Sequence, residues 1–199
     1  MATASVVRIV LARVTLTPPG LVLCIGLVCA WPVVLVLAPI GISSNNIASS
    51  EWVYELALIG SAVGAILAAG AVEELRPILQ RQSAGERLLG ESSAVGASAL
   101  VCAALAGLPA VAGARPQLGS LVGEAPGRVL PMILAAVAAS AVLGRLRLPR
   151  TLAPWLLACG LLLAPVVLPT PVRATSLLAL AAAFGLGAWL LDHPPGSVR

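Results

Sequence analysis

Residues 53–72 read VYELALIGSAVGAILAAGAV, a run of twenty residues in which Glu55 carries the only charge. As an α-helix this run would be about 30 Å long, which matches the hydrocarbon core of a bilayer. Five further apolar segments lie at 21–41, 93–113, 129–144, 152–169 and 174–191. The sequence therefore predicts an all-α, polytopic membrane protein with about six transmembrane helices, of which the last three are short and need a locally thinner bilayer.

The composition leads to the same class of protein. The 199-residue chain is 59% hydrophobic and 10% charged, whereas an average soluble domain is about 25% charged. A soluble core cannot bury so much apolar surface, so the lipid bilayer is the expected partner. The net charge of +4 comes from arginines scattered over the loops. Because they form no single basic patch, we expect no nucleic-acid partner.

The positions of the arginines predict the orientation, because short cytoplasmic loops carry an excess of basic residues. With the N-terminus inside, three arginines would lie outside, at Arg115, Arg128 and Arg173. Nine would lie inside, at Arg8, Arg13, Arg76, Arg81, Arg87, Arg145, Arg147, Arg150 and Arg199. We therefore expect a multi-pass protein of the bacterial inner (cytoplasmic) membrane with both termini cytoplasmic.

The first twenty residues predict a separate element. Residues 4–16 place Val7, Val10, Leu11 and Val14 on one helical face, opposite a polar face, as in a helix that lies in the membrane interface. Pro18, Pro19 and Gly20 would end this helix and turn the chain into the first span. A frayed cytoplasmic tail is the alternative. A cleaved signal peptide is not expected, because the apolar run is too long and no small-residue cleavage site follows it.

The chain is thus expected to divide into three regions. An interfacial helix and proline turn occupy 1–20, the six-helix transmembrane domain occupies 21–191, and a short cytoplasmic tail occupies 192–199. Within the second region, residues 73–91 are expected to form the longest cytoplasmic loop.

Candidate catalytic or metal-binding residues are lacking in the sequence. The four cysteines all fall in predicted spans, where they are expected to be small apolar fillers, and His193 is the only histidine. The chain has no lysine, so it cannot hold a phosphate-binding P-loop. No charged residue lies in the middle of a span, which disfavours a proton relay. We expect no enzyme activity, no metal and no cofactor.

Small residues recur at four-residue spacing in three spans. Such stripes allow helices to approach closely in lipid. We interpret them as packing faces within the chain first and as a dimer interface second. They comprise Gly60, Gly64 and Ala68 in the second span, Ala136, Ser140 and Gly144 in the fourth, and Ala181 and Gly185 in the sixth.

The loop 73–91, EELRPILQRQSAGERLLGE, is the most distinctive polar stretch. Ser83 followed by Glu86 predicts a capping box for a second short helix. Between the charges stand four apolar anchors, Ile78, Leu79, Leu88 and Leu89. Such a helix can dock into a groove of a soluble partner. The alternative is a solvated hairpin that merely joins two spans.

In chain order, the sequence predicts an amphipathic N-terminal helix, a proline turn, two spans, a charged helical loop and four more spans. This order resembles the permease subunit of type-2 ABC exporters, and the compact size is similar to that of the haem-exporter B-type permeases. The residue pattern of the resemblance comprises Glu73, Glu74, Leu79, Ser83, Arg87, Leu88, Leu89 and Gly90.

The resemblance implies an elbow helix, six spans and a coupling helix that engages a separate ATPase. It also implies a dimer, with a second copy or a related permease subunit, which transports substrate by alternating access. Under it, Arg81, Glu86 and Arg87 would contact the partner. A second hypothesis remains open, that the chain is a noncatalytic accessory or scaffold subunit of a larger membrane complex.

Overall fold

The computed structural model describes residues 3–37, 46–79, 81–113, 118–146, 152–167 and 170–192, which form seven helices. These are α1 (Thr3–Leu16), α2 (Pro18–Leu37), α3 (Asn46–Leu79), α4 (Ala84–Gly113), α5 (Leu118–Arg145), α6 (Leu152–Val167) and α7 (Thr170–Asp192). No strand occurs in these ranges. The predicted all-α fold is confirmed.

Each of the six predicted apolar segments coincides, over its described part, with one of the helices α2 to α7. Within the described ranges, three stretches are long and apolar enough to cross a membrane, Tyr54–Leu79, Gly85–Pro109 and Val172–Leu191. Helix α1 and the first part of α2 pass the same test as a bent pair. The apolar stretch Gly127–Leu143 of α5 is shorter. The helices therefore have membrane-like character, and the number of six spans stays a prediction.

A sharp bend separates α1 from α2. Their axes differ by 72° between Thr3–Leu16 and Pro18–Ala30. Pro18 opens α2, a position at which the missing N–H of proline costs nothing. Gly20 is buried against the backbone carbonyl of Val14, so a Cβ at this position would overlap that carbonyl. The bend thus needs both the proline and the glycine that the sequence supplies.

Helix α1 packs on the rest of the protein along one stripe. Val6, Val10 and Val14 are almost fully buried, and α1 contacts α3 and α4. The apolar face expected from the sequence includes Val10 and Val14, whereas Val6 was missed and Leu11 is only half-buried. Because these three valines are covered by protein, α1 is a packed helix and not a frayed tail.

Helix α3 is at the centre of the bundle. It contacts α1, α2, α4, α5 and α6, and its contact with α4 is the most extensive in the protein. An ideal Cβ on Gly60 would lie 2.5 Å from the carbonyl oxygen of Cys102, and Gly64 approaches the carbonyl of Ser98 equally closely. Ala68 is fully buried. The predicted stripe on α3 is therefore a packing face within the chain.

The stripe predicted on α5 is only partly a packing face. Ala136 is fully buried. Ser140 is half-buried and donates to the carbonyl oxygen of Val137 at 2.8 Å. The surroundings of Gly144 lie outside the described part of the chain.

The expected loop at 73–91 differs most from the structure. Helix α3 continues to Leu79 and α4 begins at Ala84, so most of this segment is helical and extends the two spans. The charges support this extension, because Glu73 pairs with Arg76 three residues on, and Arg87 pairs with Glu91 four residues on. No separate short helix is formed. The expected tail 192–199 lies outside the described residues beyond Asp192.

Candidate partner-binding surface

The turn between α3 and α4 is held by backbone hydrogen bonds. The N–H of Arg81 donates to the carbonyl oxygen of Ile78 at 3.3 Å, and that of Gln82 donates to Leu79 at 3.1 Å. These bonds satisfy carbonyl groups at the end of α3 that have no partner within the helix. Arg81 and Gln82 are therefore tied to the last residues of α3.

Ser83 caps the start of α4. Its hydroxyl oxygen accepts from the N–H of Glu86 at 3.3 Å, and its carbonyl oxygen accepts from the N–H of Arg87 at 3.0 Å. This is the hydrogen bond that the Ser83–Glu86 spacing predicts. The cap belongs to α4 itself, because the segment that follows it does not end as a short helix.

Five exposed side chains cluster in sequence at this end of the α3–α4 pair, and we call them the α3–α4 tip surface. Two are large apolar side chains, Ile78 at 50% and Leu89 at 62% exposure. Three are polar, Arg81, Ser83 and Glu86. Apolar anchors set among charges are typical of the rim and core of a protein contact.

Two of the four predicted anchors face inward instead. Leu79 is 1% exposed and belongs to the main core, and Leu88 is half-buried. Nearby, Gly90 is buried, and a Cβ there would lie 3.7 Å from Val6 of α1. The tip surface therefore lies on a packed base formed by α1, α3 and α4.

A half-buried charge cluster lies behind the tip surface, and we call it the inner charge cluster. It contains the Glu73–Arg76 pair at 2.8 Å and the Arg87–Glu91 pair at 4.0 Å. Arg145 of α5 also acts electrostatically on Glu91. Glu73 is 12% exposed. Two predicted contact residues, Glu73 and Arg87, thus take part in ion pairs within the protein, and the cluster joins α3, α4 and α5.

Glu74 belongs neither to the tip surface nor to the inner charge cluster. It forms an ion pair with Arg13 of α1, and both side chains are well exposed. Because exposed pairs contribute only about 0–1 kcal/mol, this pair positions α1 rather than stabilising it strongly. Of the nine predicted contact residues, four therefore lie on the tip surface: Arg81, Ser83, Glu86 and Leu89.

A second polar cluster at the other end of α3 was not predicted. Glu55 accepts a hydrogen bond of 2.5 Å from Arg173, which is 118 residues away in the chain and 14% exposed. In the sequence both residues stand near the ends of predicted spans, and in the structure they bond to each other. The only available signal was that opposite charges stand at the same end of two predicted spans.

The same end contains a second ion pair. Arg128 of α5 pairs with Glu124 at 3.0 Å and lies 4.4 Å from the ring centroid of the buried Tyr54 of α3. This geometry is that of a cation–π contact. The Glu55–Arg173 pair thus joins α3 to α7, and the contact of Arg128 with Tyr54 joins α3 to α5 near their N-terminal ends.

The side chains of these clusters can contact another protein or hold neighbouring helices in position. In the described ranges, His, Cys, Asp and Glu side chains do not gather in groups of three that could hold a metal ion. Exposed apolar and charged groups close together form a surface that can bind another protein. No protein-family model, no curated protein and no solved structure matches this chain.

Proposed function

We propose that this chain is the transmembrane permease subunit of an ATP-driven transporter, and that a separate ATPase docks on the α3–α4 tip surface. The observation that carries the proposal is the exposed, hydrogen-bonded turn between α3 and α4. It presents Ile78 and Leu89 beside Arg81 and Glu86, and it belongs to the helix that contacts most of the bundle.

Transport would be driven by movement of the helices. The ATPase would move the tip surface when it hydrolyses ATP, and α3 would transmit that movement to the helices around it. Packed helix pairs such as α3 and α4 move as units, because close-packed interfaces do not deform continuously. A second copy or a related permease subunit would complete a pathway that opens alternately to the two sides of the bacterial inner membrane. The chain itself would perform no covalent chemistry.

A second candidate function is that of an accessory or scaffold subunit of a larger membrane complex. Helix α7 favours it, because α5 is the main helix that it contacts and it leaves Leu178, Leu186 and Trp189 exposed. Such a face can pack against another membrane protein. In this case the tip surface would need no ATPase.

The test is purification of the tagged protein in mild detergent, with identification of the bound proteins by mass spectrometry. The double variant Arg81→Ala/Glu86→Ala removes one acid and one base from the tip surface and leaves the net charge unchanged. Arg87 is retained, because it pairs with Glu91 inside the protein. The matched control, Glu124→Ala/Arg128→Ala, makes the same change at the opposite end.

We expect an ABC-type ATPase to be recovered with the native protein and with the control, and at least tenfold less with the tip variant. Recovery of a large membrane assembly without an ATPase would overturn the proposal in favour of the scaffold. Equal recovery of an ATPase with the tip variant and the native protein would show that docking does not use this surface.

A further inference from the structure

The two most extensive helix contacts define two helix pairs. Helix α3 packs on α4 through the close approach at Gly60 and Gly64, and α7 packs on α5. Near the end of α7, an ideal Cβ on Gly187 would lie 3.8 Å from the side chain of Val142 of α5. Close-packed faces do not deform continuously. The α3–α4 pair and the α5–α7 pair are therefore each expected to move as a unit.

The second polar cluster, which we define as Tyr54, Glu55, Arg128 and Arg173, connects these two pairs at one end. Both arginines belong to the α5–α7 pair, and they reach neighbouring residues of α3. Arg173 donates to Glu55 at 2.5 Å. Arg128 lies 4.4 Å from the ring centroid of Tyr54. The described residues of α3 and α7 make at most slight backbone contact, so side chains make the connection here.

The start of α5 has little packing that would hold it in place. Gly123, Glu124 and Gly127 are all exposed. In the second polar cluster, Arg128 is 44% exposed and Glu55 is 29% exposed. Contacts between groups of such exposure are weak. The cluster can therefore open while the packed faces within each helix pair stay intact.

The inner charge cluster connects the same two pairs at the opposite end. Arg145 of α5 acts electrostatically on Glu91 of α4, and Glu91 and Glu73 are only 15% and 12% exposed. Partly buried charges are screened less than exposed ones, so this end should stay joined when the other opens. Between the ends, an ideal Cβ on Gly96 of α4 would lie 3.5 Å from the side chain of Val137 of α5. The two pairs are thus in close contact midway along α5.

We infer that the second polar cluster is a reversible gate between the two helix pairs. Its contacts break together, and the N-terminal ends of α5 and α7 then move away from α3 as one unit. The movement pivots near Val137, and the inner charge cluster keeps the opposite ends joined. It needs no other protein, so it can occur or fail independently of ATPase docking.

The test removes one acid at a time from the same end of the protein. Glu55→Gln breaks the pair between α3 and α7 and keeps the size of the side chain. Glu124→Gln is the matched control, because the Glu124–Arg128 pair lies within α5. The exchange Glu55→Arg/Arg173→Glu restores an attraction between α3 and α7. It therefore separates loss of the pair from general damage to the fold.

The opening is measured as the distance between two spin labels, by pulsed electron paramagnetic resonance in lipid nanodiscs. The labels are attached to cysteines in a background in which the four native cysteines are alanine. One label pair, Leu108→Cys of α4 with Gly123→Cys of α5, lies at the gate end, because Gly107 of α4 contacts Ala57 of α3.

A second label pair, Gly85→Cys of α4 with Leu191→Cys of α7, reports on the opposite end. The residues replaced by the labelled cysteines are all exposed, so the labels should not disturb the packing. This pair distinguishes a pivoting movement from complete separation of the two helix pairs.

At the gate end we expect Glu55→Gln to raise the share of a longer distance at least threefold over the background protein. Glu124→Gln and the charge exchange should both give the background distribution, and the opposite end should be unchanged in every variant. Unchanged gate-end distances in Glu55→Gln, or longer distances at both ends, would overturn the inference. An equal response of Glu124→Gln, or a charge-exchange variant that stays open, would overturn it as well.

Discussion

At the residue scale, the glycines of α3 show that helix packing at some positions has room only for a hydrogen atom as the side chain. An ideal Cβ on Gly64 would lie 2.8 Å from the carbonyl carbon of Ser98 and 2.9 Å from the Cα of Ala99, both of which are backbone atoms of α4. Gly70, on the same helix, has no atom within 4 Å of such a Cβ. Backbone atoms cannot rotate aside, so Gly64, unlike Gly70, is required for close approach of the two helices.

We therefore predict opposite effects of the same substitution on α3. Gly64→Ala should lower the free energy of unfolding by about 1–3 kcal/mol, because overpacking separates α3 from α4. Gly70→Ala, the matched control, should leave it unchanged or raise it by up to about 1 kcal/mol, because alanine is the better helix former. Unfolding in mixed micelles of rising sodium dodecyl sulfate content measures both values, and equal effects of the two variants would contradict the packing described here.

At the element scale, α1 is the helix whose behaviour depends most on a few side chains. Its contact with the bundle is made through a valine stripe, and its ion pair, Arg13 with Glu74, is exposed. Apolar burial must therefore hold it in place, since fully burying one valine side chain contributes about 1.5–3 kcal/mol.

Val10→Ser should release α1 from α3 and α4. Val10 is fully buried, so a serine there loses the apolar contact and places a hydroxyl among apolar groups. The control is Leu16→Ser in the same helix, because Leu16 is 70% exposed. Hydrogen exchange of the α1 amides should become at least tenfold faster in Val10→Ser and stay near the native rate in Leu16→Ser. Unchanged exchange in Val10→Ser would mean that other contacts hold α1.

At this scale, the sequence predicted correctly those features that depend on residues close together in the chain. The proline turn at 18–20 and the Ser83 cap were both predicted, because each depends on groups within four residues. The segment 73–91, predicted as a charged loop with one short helix, is mostly an extension of α3 and α4. Glu73 with Arg76, and Arg87 with Glu91, instead pair along the helix and allow it to continue.

At the scale of the whole molecule, the two polar clusters identify the ends of the bundle. Arg145 at the end of α5 acts on Glu91 near the start of α4. Arg173 near the start of α7 bonds to Glu55 in the first part of α3. Helices α3, α5 and α7 therefore run in the same direction, and α4 runs opposite to them. This alternation agrees with the order of spans that the sequence predicts.

The alternation leads to a prediction about orientation. Gly85 and Gly123 are both exposed, have no atom within 4 Å of an ideal Cβ, and lie near the starts of α4 and α5. Each should tolerate replacement by cysteine in a background in which the four native cysteines are alanine. With the N-terminus inside, a membrane-impermeant maleimide should label Gly123→Cys in intact cells and Gly85→Cys only after permeabilisation. Labelling of both from one side would contradict the antiparallel arrangement, and the reverse pattern would contradict the predicted orientation.

The sequence by itself determined the helical class, the positions of the apolar helices, the turn into α2 and the cap of α4. Each of these depends on composition or on groups within a few residues of one another. Only the tertiary structure decided that Glu55 bonds to Arg173, that Gly64 and not Gly70 contacts α4, and that only four of the nine predicted contact residues belong to the tip surface. These features depend on distances between residues that are far apart in the chain. Those distances are set when the helices pack, and local sequence periodicity carries no information about them.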